Sequence, residues 1–326
     1  MLDTTDSPAA GDVDLSAARS GSIVSSLDHL GVLQFGGEDA EAFLQGQLTC
    51  DVKKVGPRSG AYGAYCSPRG RMLASFLLWR EEAGFCMALS RDIAAAVQGT
   101  ISRFVLRAKV KIWDASGSVA LVGAAGPKAE GALHGVFPEP PGMPLEVSRR
   151  SGTGTCIRLG DARFILTAAP ATASELLQRL GSTLRLTDPR AWRWLDIRNG
   201  LPRITAATQD RLVPQMANLE LIGGVSFDKG CYAGQEVVAR TQHLGKVKRR
   251  MFLANVAAPA AAGDDLYSED LGDQVSGVVV NAEISPDGGY DMLAVVPSSS
   301  RESSPVHLKS LAGPALRFLP LPYPIA

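Results

Sequence analysis

Several function classes are excluded by what the sequence lacks. Neither charge sign is in excess: Lys plus Arg number 33, and so do Asp plus Glu. A protein that coats nucleic acid through charge needs a basic surplus. No apolar run reaches the roughly 18 residues of a membrane-spanning helix, so no membrane partner is expected. Histidine is scarce, at four residues, which makes a metal site improbable on composition. The five cysteines, Cys50, Cys66, Cys86, Cys156 and Cys231, contain no CxxC pair, so the spacing of zinc, iron–sulfur and dithiol motifs is missing. An odd number of unpaired thiols in a chain of 326 residues points to a reducing, cytoplasmic setting. Residues 1–22 have neither the basic nor the apolar segment of a secretory leader. They carry Asp3, Asp6, Asp12 and Asp14 among Ser, Ala and Gly, and a disordered lead is expected there.

What remains is an ordinary globular composition, 45 % hydrophobic, long enough for two domains. Leu27 to Phe35 reads as a strand, and Glu38 to Gln47 as a short helix with Ala40, Phe43 and Leu44 on one face. Tyr62 to Cys66 and Met72 to Trp79 read as a hairpin around Ser67-Pro68-Arg69-Gly70. Asp92 to Leu106 reads as a helix with Phe104 and Val105 inward. Asp188-Pro189 marks a helix start, because Asp caps free N–H groups and Pro fits the first turn; the helix runs through Ile197 and stops near Gly200. From about Met251 short strands dominate, with a hairpin around Pro286-Asp287-Gly288-Gly289. The chain is therefore read as an α+β body over residues 23–250 and an all-β C-terminal unit over residues 251–326.

The chemistry-bearing stretch runs from Val213 to Glu236. Its glycines allow sharp turns and close backbone approach. Cys231 lies between Lys229 and a helix expected over Gly234 to Thr241. A neighbouring cation and helix-terminal N–H groups both favour a thiolate, so Cys231 is the candidate reactive thiol. Glu236 falls in the first turn of that helix, and it is equally able to draw Lys229 away. A lone cysteine among small residues is also a common packing residue, and on the residues alone that alternative stays open. His243 is no triad partner, so a cysteine-protease reading fails for want of a base.

The stretch Lys229-Gly230-Cys231-Tyr232-x-Gly-Gln235-Glu236 resembles the signature of the YgfZ-type folate-binding proteins, relatives of the aminomethyltransferase (T-protein) of the glycine cleavage system. Phe43-Leu44-Gln45-Gly46-Gln47-Leu48-Thr49 with Asp51, Cys66-Ser67-Pro68-Arg69-Gly70-Arg71, Pro214-Gln215 with Asn218-Leu219, and Leu319-Pro320-Leu321-Pro322-Tyr323 match as well, over roughly residues 25–326. The resemblance implies an aminomethyltransferase-like folate-binding fold with a central channel and a C-terminal antiparallel β-barrel. It implies tetrahydrofolate or another reduced folate as cofactor, and a role beside iron–sulfur enzymes or their assembly proteins, including the enzyme that methylthiolates tRNA. Cys231 with Lys229 is the implied working thiol. Trp192 occupies the position of a folate-contacting Trp; Trp194, about 200° further round the helix, cannot share its face. Asn199, Gln215, Asn218, Tyr232, Gln235 and Glu236 complete the implied folate-binding set.

Two positions depart from the family pattern. Asn199 stands where the aminomethyltransferases place a carboxylate, and Leu30 where some relatives carry a second Trp. Two alternatives follow: a tetrahydrofolate-dependent aminomethyl or one-carbon transferase, and a binding module without folate. Arg240, His243, Lys246, Lys248, Arg249 and Arg250 form a basic cluster, expected to be solvated surface or to meet an anionic partner. Arg103, Arg107, Lys109 and Lys111 form a second. No aromatic-interleaved RNA-binding segment is present, so direct sequence-specific nucleic-acid recognition is not expected.

Overall fold

The computed structural model describes residues 15–243 and 247–325. Three sheets organise them. The first takes its strands in the order Ala61–Cys66, Met72–Glu81, Gly84–Ser90, Leu30–Gly36 and Lys111–Asp114. The second runs Arg185–Leu186, Ile23–Ser26, Ala120–Ala125, Arg163–Ala168, Gly154–Gly160 and Val147–Arg150. Its pairings are antiparallel except the first, where Ile23–Ser26 lies parallel to Arg185–Leu186. The third is a curled antiparallel half-barrel of six strands: Val306–Leu308, Asp265–Ser268, Val275–Ile284, Tyr290–Pro297, Arg249–Val256 and Arg317–Leu319. The α+β reading and the C-terminal antiparallel β unit are thus observed.

Alternation along the strands explains the packing. In Arg249–Val256, Met251 and Leu253 point into a core shared with Leu33, Leu78 and Phe76 of the first sheet. Phe252, Ala254 and Val256 point the other way, into a core with Leu266, Val279 and Met292. A strand places successive side chains on opposite faces, so the C-terminal sheet is covered on both. A further core, with Ile23, Trp79, Cys86, Ile157, Ile165 and Trp192, fills the space between the first two sheets.

Most expected elements form, with shifted ends. The hairpin pairs Cys66 with Met72, and Val275–Ile284 pairs with Tyr290–Pro297 across the expected turn. The strand expected from Leu27 to Phe35 forms as Leu30–Gly36, and a separate strand, Ile23–Ser26, precedes it and enters a different sheet. Residues 1–14 of the expected lead lie outside the described residues. Leu15 is buried, Ser16–Ser20 are helical and Arg19 pairs with Asp287, so packed structure begins before residue 23. The helix expected to reach Leu106 ends at Ser102. The chain then turns, with Leu106 at φ +43°, and Phe104 is 47 % exposed rather than inward. Val105 alone keeps contact with the core.

Candidate functional site

The helix Pro189–Arg198 begins as the sequence dictates: the Asp188 side chain accepts from Arg190 N, and Pro189 fills the first turn. Its two indoles go separate ways. Trp194 Nε1 donates to Asp291 Oδ2 on the C-terminal sheet at 2.8 Å. Trp192, 1 % exposed, lines a narrow cavity of about 80 Å³ between the first two sheets. It packs against Gly123 so closely that a Cβ there would lie 2.4 Å from the ring. The Arg163 guanidinium sits 4.7 Å from the centre of its ring. Leu30, Phe76, Leu77, Leu89, Leu159, Ile165, Leu219 and Ile222 give the cavity apolar walls.

The polar groups of the cavity are few. Asp196 lies one helical turn beyond Trp192, on the same face, and its Oδ1 accepts from Arg163 Nη2. Arg203 and Tyr62 also line the wall, and Arg203 Nη1 and Tyr62 Oη are buried without a hydrogen-bond partner. Burial pushes the Tyr62 phenol well up and holds the Arg203 guanidinium below its ordinary value. Nearby, burial together with the charges of Arg203 and Arg193 pushes His29 down to about 2, so its imidazole is neutral.

The cysteine loop is a separate construction, laid over residues 48–50 and the tip of the first hairpin. Thr49 Oγ1 donates to Gly224 O at 2.6 Å, and Ser226 N donates to Thr49 O at 2.9 Å. Lys229 is buried, and its Nζ donates to Leu48 O at 2.6 Å and Cys50 O at 2.8 Å. That ammonium also sits 5.1 Å from the centre of the Tyr232 ring. Desolvation lowers the lysine to about 8. Gly234, at φ +80°, abuts the hairpin, where a Cβ would fall 2.4 Å from Ser67 O and 2.8 Å from Gly70 Cα. The same tip is tied to Asp210, which accepts from Ser67 Oγ at 2.8 Å and from Arg69 Nη2. At the start of the helix Gln235–His243, Gln235 Oε1 accepts from Tyr232 N at 3.3 Å. Among the five cysteines Cys231 is exposed; Cys50, Cys66, Cys86 and Cys156 are buried.

The residues singled out from the sequence therefore divide. Trp192 lines the cavity, as does Leu30; Cys231, Lys229, Tyr232, Gln235 and Glu236 belong to the loop and its helix, and none of them lines the cavity. Gln215 and Asn218 are wholly buried braces: Gln215 Nε2 donates to Val238 O and Asn218 Nδ2 to Met251 O, both at 2.7 Å. Asn199 Nδ2 donates to Leu195 O at 2.7 Å, closing the end of its own helix. Glu236 is exposed. Of the basic cluster, Arg250 is 8 % exposed, bound to Glu220 and to Gln215 O, so it is a structural tie and not solvated surface. Arg240, His243, Lys248 and Arg249 are exposed, and Lys246 lies outside the described residues. Sequence reasoning missed Asp196, Arg203 and Tyr62. The four-residue spacing from Trp192 was a usable signal for Asp196. Arg203 follows the helix in irregular chain, where no periodicity marks a direction.

The fold defines a protein of aminomethyltransferase-like architecture. Residues 8–141 match the GCVT N-terminal domain family. The fold is similar to the crystal structure of glycine cleavage system aminomethyltransferase T from Bartonella henselae, with a TM-score of 0.77 at 18 % identity, covering 94 % of this chain and 88 % of that one. More specifically, the chain is 33 % identical over 305 residues to tRNA-modifying protein YgfZ of Sodalis glossinidius (strain morsitans), covering 92 % of each. It is 34 % identical over 294 residues to the protein of that name from Edwardsiella ictaluri (strain 93-146), covering 88 % of each. The chain belongs to the YgfZ family.

Proposed function

We propose that this protein is a folate-binding accessory of tRNA modification, which supports iron–sulfur enzymes, the tRNA-methylthiolating one included, through Cys231. The observation that carries the reading is the contrast among its thiols: four are buried, while Cys231 is exposed on a loop held from beneath by Lys229 and locked to the hairpin tip at Gly234. A braced backbone that presents one sulfur to solvent suits a thiol that works on a partner protein. Whether that thiol attacks, ligates or is oxidised, it must be reachable.

The cavity supports a reduced folate, tetrahydrofolate, as the ligand. Its apolar walls and the Trp192 indole fit a flat heterocycle, and unpartnered Arg203 Nη1 and Tyr62 Oη, beside Asp196, meet a polar edge. Bound there, the folate supplies a one-carbon carrier; the chain's own residues enclose its ring and pair its edge. Quenching of Trp192 emission on titration with tetrahydrofolate tests this reading, with Trp192→Phe as control. Saturable quenching that the variant lacks supports it, and an unchanged spectrum of the folded protein removes it. For the thiol, Cys231→Ala placed in cells without the wild-type copy is expected to lower tRNA methylthiolation and iron–sulfur enzyme activities. Normal levels in those cells remove Cys231 from the mechanism.

A second reading, aminomethyl or one-carbon transfer to tetrahydrofolate, is favoured by one observation: Asp196 supplies the cavity with the carboxylate that Asn199 does not. Turnover of an aminomethyl-lipoyl carrier with tetrahydrofolate, lost in Asp196→Asn, is what it requires.

A further inference from the structure

We propose that Arg203 and Tyr62 read the oxo oxygen of a 2-amino-4-oxopyrimidine edge, so that the cavity distinguishes an oxo ring from its 4-amino counterpart. The inference deepens the folate reading and rests on it for the place of the ring. Two buried donors, Arg203 Nη1 and Tyr62 Oη, line the cavity without acceptors. A buried donor left unmet is costly, so a ligand that brings acceptors is favoured.

The carboxylates that bear on Arg203 are Asp196, Glu283 and Asp92, and each is engaged: Asp196 by Arg163, Glu283 by Arg193 Nε at 2.7 Å, and Asp92 by Ala206 N at 2.9 Å. Of these, Asp196 is the one that faces the cavity, and its charge is felt by Tyr62 as well. An amino-oxo edge suits this set of groups, because its N–H groups face the Asp196 carboxylate and its oxygen faces the two donors. Pterins and guanine share this edge.

The test is calorimetric titration of the whole protein, in mildly alkaline buffer that keeps diamino rings neutral. The probes are tetrahydrofolate, its 4-amino analogue and guanosine, and the proteins are wild type, Arg203→Met and Tyr62→Phe. Wild type is expected to prefer the oxo folate over the amino analogue by about tenfold or more, since a donor left facing a donor is strongly disfavoured. Arg203→Met is expected to erase that preference, and Tyr62→Phe to reduce it by weakening oxo binding alone. Should Arg203→Met fail to fold, as seen in its thermal melt, the Tyr62→Phe ratio decides. A preference that is absent in wild type, or unchanged in the folded variants, overturns the inference and leaves folate binding intact. Guanosine binding that needs Arg203, without folate binding, upholds the edge reading and removes folate as the occupant. Binding of neither overturns both.

Discussion

Lys229 and Cys231 stand two residues apart in very different surroundings. The lysine is buried against the carbonyl groups of Leu48 and Cys50, and the thiol is exposed. Desolvation lowers Lys229 from its ordinary 10.5 to about 8. Between those values the unfolded chain binds more protons than the folded one, so this group makes stability rise with pH in that window. Burial also raises Cys50 and Cys66 from 9.0 to about 12, which lowers stability as pH climbs past 9. The readout is therefore a difference: from about pH 8 to 10.5, wild type is expected to gain on Lys229→Met in urea-melt stability. An equal pH slope in both proteins contradicts this account of the lysine. Gly234→Ala adds a Cβ 2.4 Å from Ser67 O at φ +80° and is expected to cost more than about 1 kcal/mol, with faster alkylation of Cys231 as its loop loosens. At this scale residue type marked Gly234, neighbouring residues offered Cys231 as one of two readings, and the family resemblance singled out Cys231 and Trp192. Lys229 stayed ambiguous, because whether an ammonium meets a thiol or a carbonyl depends on chain distant in sequence, here residues 48–50.

The helix Pro189–Arg198 carries the main lesson at the scale of elements. Asp188, Pro189 and the 200° offset of its indoles were readable from local rules, and the structure shows those rules at work. The partner of each indole was not readable, since it is set by sheets that the helix meets only in three dimensions. Trp194→Phe removes the bond to buried Asp291 and is expected to destabilise by about 1–3 kcal/mol. Because Trp194 does not line the cavity, tetrahydrofolate affinity is expected to stay within about twofold, a margin well under the tenfold that 1.4 kcal/mol represents. A large loss of affinity in a folded Trp194→Phe protein contradicts this division of labour. The helix before Arg103 ran short for a similar reason: apolar spacing suggested a continuation to Leu106, but Val105 is the one residue of that turn held by the core.

Across the whole molecule, the C-terminal half-barrel is bound to the body through a shared core. Leu293 and Val295 pack with Leu33 and Leu78, while Met292, Ala294 and Val296 fill the opposite face. The unbroken apolar run Met292 to Val296 carried that sign, since a strand buried on both faces shows no alternation. The change in composition near Met251 suggested a unit apart, yet its inner surface completes the body. One cooperative unfolding transition is therefore expected in calorimetry. Leu293→Ala is expected to lower the stability of that transition by about 2–5 kcal/mol; two transitions, with one alone responding, contradict the shared core.

Two indoles on opposite sides of one helix, one walling the cavity and the other clamped to the half-barrel, also provide an internal reference for fluorescence. Occupancy dims the first and spares the second, whereas parting of the half-barrel from the body releases the second. Difference spectra between wild type and proteins in which Phe replaces either indole in turn, with Trp79 and Trp113 common to all, can thus separate a ligand arriving from a molecule coming apart.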